Sequence, residues 1–401
     1  MSKRLFIDTF INLFNNLSCF FVKRDYKVWL FGSWMGKRFS DNSRFLFQYL
    51  TNNMDKYGIK KTIWVTRNNE ILELTRSMGY ESYLIGTKES KYWHKKAGVH
   101  VICNSMNEDI DSKFSFGAKK IQLWHGNGIK ASGKMTRKHK ETIKDKIWDS
   151  IVKPLIIPGN WYHCYWLACS EESKRVLVND SGALKRKVII ANSPRLCKCQ
   201  KYLPLELNII EAITKLKKDG FKIILYLPTF RNGTNSAFVE PTNISNFDSF
   251  LQSEKIIWIR KQHFATNENL VTTNNQNIID LDKTFDVNVL YDYIDLFISD
   301  YSSASTDAIY HDIRTLEYCP DYYDFCSNDR GFVAPFDKYH TGNLVLDPNL
   351  LIRTIRMCLN TNLTDNKNHK SAKSFLFDDN VADYHIITEA IIKFVFKRTK
   401  I

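Results

Sequence analysis

Four segments of the chain set polar, cationic or proton-carrying side chains directly behind a short apolar run, where open α/β sheets bind their ligands. The first is Trp124-His125-Gly126-Asn127-Gly128-Ile129-Lys130, which closes the run KIQLW. Its two glycines let the backbone approach a ligand closely, His125 can take or give a proton near neutral pH, and Lys130 can pair with a phosphate. The same residue types also suit an ordinary loop with a solvated histidine. The second is Pro228-Thr229-Phe230-Arg231 after KIILYL. Proline cannot continue a central strand, so the chain must turn there and deliver Thr229 and Arg231 to the cleft rather than to the sheet; a guanidinium fork there fits two phosphate oxygens. A plain surface arginine is the alternative.

The third segment, Arg260-Lys261-Gln262-His263, follows KIIWI and forms an anion site if its basic groups converge; His263 is equally a loop histidine or a phosphate ligand on local grounds. The fourth is Ser299-Asp300-Tyr301-Ser302-Ser303-Ala304-Ser305-Thr306-Asp307, running from DLFI into a helical pattern. Hydroxyls at a strand-to-helix turn cap the helix, and its free N–H groups favour a phosphate. Capping alone needs only one serine, and four hydroxyl residues exceed that need.

These segments need strands behind them, and the sequence supplies two series. KVWLF, KKTIWVT, VHVIC, KIQLW, YWLAC and KVIIA come first, followed by KIILYLP, KIIWIR, NIIDLD and DLFISD. Each is too short for a helix and rich in β-branched or aromatic residues, as buried parallel strands are. Strand and helix alternating in two series predict two doubly wound Rossmann-like α/β domains facing a central cleft, a GT-B-like architecture. The expected division is 1–26 for an amino-terminal amphipathic helix, 27–205 for the first domain and 206–401 for the second. No GxGxxG opens the first unit, and neither GxxxxGK[ST] nor GxSxG occurs, which argues against dinucleotide oxidoreduction, P-loop hydrolysis and α/β-hydrolase chemistry.

Composition narrows the partners. The chain has 401 residues, 57 Lys+Arg against 43 Asp+Glu, and a formal net charge of +14, so an anionic partner is expected. The 44% hydrophobic and 25% charged composition is that of a folded protein. Nine cysteines include no CxxC pair, only Cys197 and Cys199 at close spacing, so reduced structural thiols are expected and no metal site. In the amino-terminal segment Phe6, Phe10, Leu13, Phe14, Leu17, Phe20 and Phe21 recur at helical spacing, flanked by Lys3, Arg4, Lys23, Arg24 and Lys27. That pattern suits a helix lying on an anionic membrane surface, or one docked on the protein's own core. A second basic cluster, Lys130, Lys134, Arg137, Lys138, Lys140, Lys144 and Lys146, suits anionic lipid or a polyanionic acceptor, with a solvated helix face as the alternative. No nucleic-acid-binding motif accompanies these charges, and nucleic acid is not an expected partner.

In this order the segments resemble the CDP-glycerol glycerophosphotransferase family of teichoic-acid and capsule-polymer enzymes. WHGNGIK is similar to its WHG-T-P-x-K motif, LPTFRNG to A-P-T-[FW]-R-D, ISDYSSASTD to [IL]-T-D-Y-S-S-x-x-x-D, and RKQH stands at its R-x-H segment. Weaker likenesses are RFSDNSRFLFQYL, ACSEES and FDKYHTGN. The resemblance spans about residues 27–360. It implies transfer of a polyol phosphate, glycerol phosphate by default, from a CDP-activated donor to a hydroxyl of a lipid-linked or growing polymer, with CMP released. The first domain would then serve the acceptor and the second the CDP-polyol donor. Catalytic roles fall by resemblance to His125 and His263. Donor binding falls to Thr229, Arg231, Arg260, Asp300, Ser302, Ser303 and Asp307, and Gly126 and Lys130 belong to the acceptor side or loop. No bound cofactor is implied, and the peripheral, cytoplasmic face of the membrane is the implied location. Asn127-Gly128 replaces the family's Thr-Pro, Asn232 its usual Asp, and Asn192-Ser193-Pro194-Arg195 its Gly-x-Pro-Arg. A glycosyltransferase of the same architecture using a nucleotide sugar, and a basic scaffold without chemistry, are the competing readings.

Overall fold

The computed structural model describes residues 14–15, 18–131, 142–143, 164–229, 238–261, 275–328, 331–361, 366–378 and 381–396. Outside these lie most of the expected amino-terminal helix, Arg231, His263, and every member of the basic cluster except Lys130. The chain divides into two compact units, one of Met1–His125, Arg137–Gln200 and Asn380–Ile401, the other of Gly126–Thr136 and Lys201–Asp379.

The first unit is built on a seven-stranded sheet of β1 (Asp25–Phe31), β2 (Lys61–Thr66), β3 (Ser82–Leu84), β4 (Ala97–Ile102), β5 (Lys119–Gln122), β6 (Cys164–Ala168) and β7 (Val188–Ile190). All neighbours pair in parallel, in the order β3-β2-β1-β4-β5-β6-β7. β2, with five of its six residues buried, and β4, buried throughout, are near-continuous apolar runs because a parallel sheet is covered on both faces. Val28, Leu30, Ile63, Val65, Ile102 and Trp166 lie in one core cluster on this sheet. The carboxy-terminal helix Tyr384–Phe396 packs here too. Tyr384 stacks on Tyr49 with ring centroids 4.7 Å apart, and His385 Nδ1 lies 2.9 Å from the Tyr57 hydroxyl.

The second unit holds a six-stranded parallel sheet of β8 (Lys222–Leu227), β9 (Ile256–Arg260), β10 (Ile278–Asp280), β11 (Leu296–Ser299), β12 (Arg314–Tyr318) and β13 (Leu344–Val345). Its order is β10-β9-β8-β11-β12-β13. Ile224, Tyr226, Trp258, Ile298, Leu316 and Leu351 belong to its core cluster. In each unit the sequence-consecutive strands run outward from the first strand and then resume on its other side. The point of reversal lies between β1 and β4 in one sheet and between β8 and β11 in the other, which is where doubly wound sheets hold ligands. The expected α/β class with two parallel sheets is therefore present. All nine cysteines are free. No helix among the described residues is long and apolar enough to cross a membrane.

Candidate active site

In the first unit, His125 follows β5 and reaches the end of β4, where its Nδ1 lies 3.2 Å from the carbonyl oxygen of Cys103. A carbonyl only accepts, so Nδ1 carries the proton and Nε2 keeps its lone pair. Burial lowers the histidine's pKa; the Asp41 carboxylate opposes that shift and the Arg195 guanidinium adds to it. A neutral imidazole with a fixed tautomer is what a general base needs.

The backbone around His125 is strained. Trp34, Met35, Asp41 and Trp124 all have positive φ, at 42°, 61°, 63° and 59°. Such conformations cost on the order of 1–3 kcal/mol each in non-glycine residues and persist only where surrounding contacts impose them. Those contacts are visible. Arg195 Nη1 donates to Asp41 Oδ1 at 3.0 Å and to the His125 carbonyl at 2.8 Å, and both side chains of this ion pair are buried. Asn42 Nδ2 donates to the Trp124 carbonyl at 2.9 Å, while its Oδ1 accepts the Arg195 N–H at 3.0 Å. Trp34 Nε1 donates to Asp41 Oδ2 at 3.0 Å, and its ring lies 5.6 Å from the imidazole, centroid to centroid. Behind them, the Asp109 carboxylate accepts the N–H groups of Met35, Cys103 and Asn104, joining the loops after β1 and β4. Burial pushes its pKa up to about 6. Gly126, at φ 135°, adopts a conformation open to glycine.

In the second unit the residues gather at the ends of β8 and β11. The Thr229 N–H donates to both carboxylate oxygens of Asp300, at 3.0 and 3.1 Å, and the Tyr301 N–H donates to Oδ1 at 2.6 Å. Asp300 thus spends its charge on backbone donors and shapes the two loops. Ser302 Oγ accepts the Ala304 N–H at 3.2 Å at the start of the helix Ala304–Tyr310, whose cap residue, Ser303, makes no side-chain capping bond. Asp307 is buried within that helix. Lys130 also belongs to this unit, with its Nζ 3.4 Å from Thr229 Oγ1. It is held there by antiparallel backbone pairing of Ile129 and Ala131 with Val333 and Gly331. Phe332, between them, packs into a group with Tyr301, Phe325 and Phe336, and the Tyr301 hydroxyl donates to Asp321 at 3.0 Å. Arg260 is buried at the end of β9 and forks onto Asp280, with Nη2 to Oδ2 at 3.2 Å. Its guanidinium braces β9 against β10 in the structure. Among the described residues no group of three or more His, Cys, Asp or Glu side chains could hold a metal ion.

Of the residues expected at strand ends, His125, Thr229, Arg260, Asp300, Ser302, Ser303, Asp307, Gly126 and Lys130, the structure brings Thr229, Asp300 and Lys130 together. The sequence reading gave no role to Asp41, Asn42, Trp34, Asp109 or Arg195. Asp41, Asn42 and Arg195 lie inside the motif-like stretches SDN and SPR, which was the available signal.

Two parallel sheets, each with polar side chains gathered at its switch point, define a doubly wound α/β protein. The chain belongs to the CDP-glycerol:poly(glycerophosphate) glycerophosphotransferase family, whose signature spans residues 14–391. It is 26% identical over 389 residues to a teichoic acid poly(glycerol phosphate) polymerase of Bacillus spizizenii, covering 91% of this chain and 88% of that one. It is 24% identical over 378 residues to the Bacillus subtilis polymerase of the same name, covering 89% of this chain but only 47% of that protein. A teichoic acid glycerol-phosphate transferase of Staphylococcus aureus is 24% identical over 356 residues, covering 81% of this chain and 82% of that protein. The fold is that of the wall teichoic acid polymerase TagF, with a TM-score of 0.70 at 16% identity over 99% of this chain and 98% of the other.

Proposed function

We propose that the protein transfers glycerol phosphate from CDP-glycerol to a hydroxyl of a lipid-linked or growing teichoic-acid-like or capsular polymer, and releases CMP. The carrying observation is His125, a family-motif histidine held neutral, with Nδ1 tied to a carbonyl and Nε2 left basic. In this reading Nε2 takes the proton of the acceptor hydroxyl as its oxygen attacks the phosphorus bearing the glycerol. The bond from that phosphorus to the bridging oxygen breaks, and CMP leaves with the electron pair. Little covalent chemistry is asked of the protein beyond placing the alcohol and neutralising charge on the pyrophosphate.

Lys130, Thr229, Ser302 and Ser303 supply cation and hydroxyls for the donor phosphates, and family likeness assigns Arg231 and His263 to the same phosphates. Asp300, Arg260 and Asp307 shape that site. The relative's name and a TagF structure soaked with CDPG support glycerol over ribitol as the polyol. We place the protein peripherally at an anionic membrane surface, on its cytoplasmic face. The exposed Phe14, Phe20 and Phe21, beside Lys23, support this placement.

The test offers CDP-glycerol, CDP-ribitol and UDP-sugars with a lipid-linked glycerol phosphate primer and measures nucleotide release. CMP release from CDP-glycerol is expected, and turnover of a UDP-sugar alone would transfer the protein to glycosyl chemistry. The variant His125→Ala should lose about 100- to 10,000-fold in kcat with an unchanged melting temperature. Wild-type turnover in it rejects the assigned base.

A further inference from the structure

The residues that hold His125 come from places far apart in the sequence and are bonded to one another around its backbone. Asp41 and Asn42 open the helix Asp41–Asn52, Trp34 lies in the loop after β1, and Arg195 follows β7. Every one of them bonds to another member or to the Trp124–His125 backbone. Asn42 takes the Trp124 carbonyl, Arg195 takes the His125 carbonyl, and Asn42 and Asp41 each bond Arg195. The two carbonyls flank the histidine's own backbone, so they fix where its Cα and Cβ stand. Nδ1 on Cys103 then fixes the ring's rotation, and the Trp34 and Trp124 rings lie against it with centroids 5.6 and 4.1 Å away. Four positive-φ residues in this one shell show that the chain is bent into place by these contacts, since bulky residues do not adopt that region unaided.

We propose that Asp41, Asn42 and Arg195 are positioning residues of the transfer reaction, a buried frame that holds the strained Trp124–His125 segment so that Nε2 stands at one fixed place and angle. The proposal rests on His125 being the base. Asn42 does the steric part, because its amide joins the Trp124 carbonyl to the Arg195 N–H. Asp41 and Arg195 add an electrical part as the charged pair that faces the imidazole. Asp109 and the Cys103 thiol stand behind them at the end of β4. Loss of the Asp41 charge favours the neutral imidazole, and loss of the Arg195 charge favours the protonated one.

The full-length protein is assayed with CDP-glycerol and a lipid-linked glycerol phosphate primer, across pH, as His125→Ala, Asn42→Ala, Asp41→Asn, Arg195→Met and Trp34→Phe. Asn42→Ala should lower kcat about 100-fold, the scale of an ångström's misplacement, with KM for CDP-glycerol changed little. Asp41→Asn should move the acid limb of kcat/KM to lower pH and Arg195→Met to higher pH, a pair of opposite shifts that mere loosening of the fold cannot produce. Trp34→Phe keeps an aromatic ring beside the imidazole and removes the hydrogen bond to Asp41. It keeps the test open where the charge variants fold poorly, and should lower kcat with donor KM steady. If His125→Ala keeps its turnover, the base assignment falls. If His125→Ala is dead while folded frame variants retain wild-type kcat and an unmoved acid limb, the frame alone is overturned.

Discussion

At the scale of single residues, the histidine and the lysine of one seven-residue motif have separate duties. His125 ends one unit and, in the proposed role, works by lacking a proton. Burial lowers its pKa below the ordinary 6.5, so the basic form persists as pH falls and the acid limb of the rate should lie lower than for a solvated imidazole. Lys130 belongs to the other unit and lies against Thr229, on a turn fixed by Asp300. By family resemblance Lys130 is expected on the acceptor side or in the loop after His125. Backbone pairing with Gly331 and Val333, which no local pattern encodes, sets it beside Thr229, and under the proposed function it serves the donor phosphates. Accordingly, Lys130→Met should raise KM for CDP-glycerol about tenfold, as loss of a charge-assisted contact of roughly 1.5 kcal/mol does, with acceptor KM little changed. Steady-state kinetics with each substrate varied in turn decides it, and a rise confined to acceptor KM returns the residue to the acceptor.

At the scale of elements, strands with dense β-branched or aromatic runs were legible, and the three that escaped share a physical reason. β3 (SYL) and β13 (LV) are too short to show a period, and β12 (RTLEY) mixes charge into a buried strand. The polar frame around His125 was illegible for another reason: its members meet only after β1, β5 and β7 have been paired into one sheet. SDN and SPR could be matched as patterns but not given contacts. One glycine among these loops carries an unusually sharp constraint. A Cβ on Gly32, at the end of β1, would lie 2.1 Å from the Asp109 carbonyl oxygen, a backbone atom that cannot swing aside. Gly32→Ala should therefore destabilise the fold by about 1–3 kcal/mol or more, as overpacking does. It should also weaken activity, because the same segment carries the Asp109 carboxylate that ties the loops after β1 and β4. Thermal melting with a parallel rate assay checks both, and an undiminished melting temperature would mean the strand end can give way.

At the scale of the whole molecule, the second sheet contains a carboxyl group that its stability must accommodate. Glu317 on β12 is buried, accepts the Thr315 hydroxyl at 3.1 Å, and has its pKa pushed up to about 8, chiefly by burial. A carboxyl whose folded pKa is raised favours the folded state while it remains protonated. Its contribution is full below the unfolded value near 4.5 and is lost as pH rises through about 8. Glu317→Gln, which cannot ionise, should flatten the fall in melting temperature between those limits. Scanning calorimetry from pH 5 to pH 9 on both proteins tests this, and identical slopes would place the proton elsewhere.

The six strands of the second sheet also follow the order of the first six of the seven-stranded sheet although no repeat is visible in the sequence, so the same topological point occurs twice in a single chain. Under the proposed function one copy supplies the proton acceptor, His125, and the other the donor-phosphate contacts of Lys130 and Thr229. Such a layout is modular. Loops following β8, β9 and β11 can drift toward another activated polyol while the frame under His125 stays untouched, and the frame can be tuned without rewriting the grip. On that reading, the building block and the chain end could change one at a time.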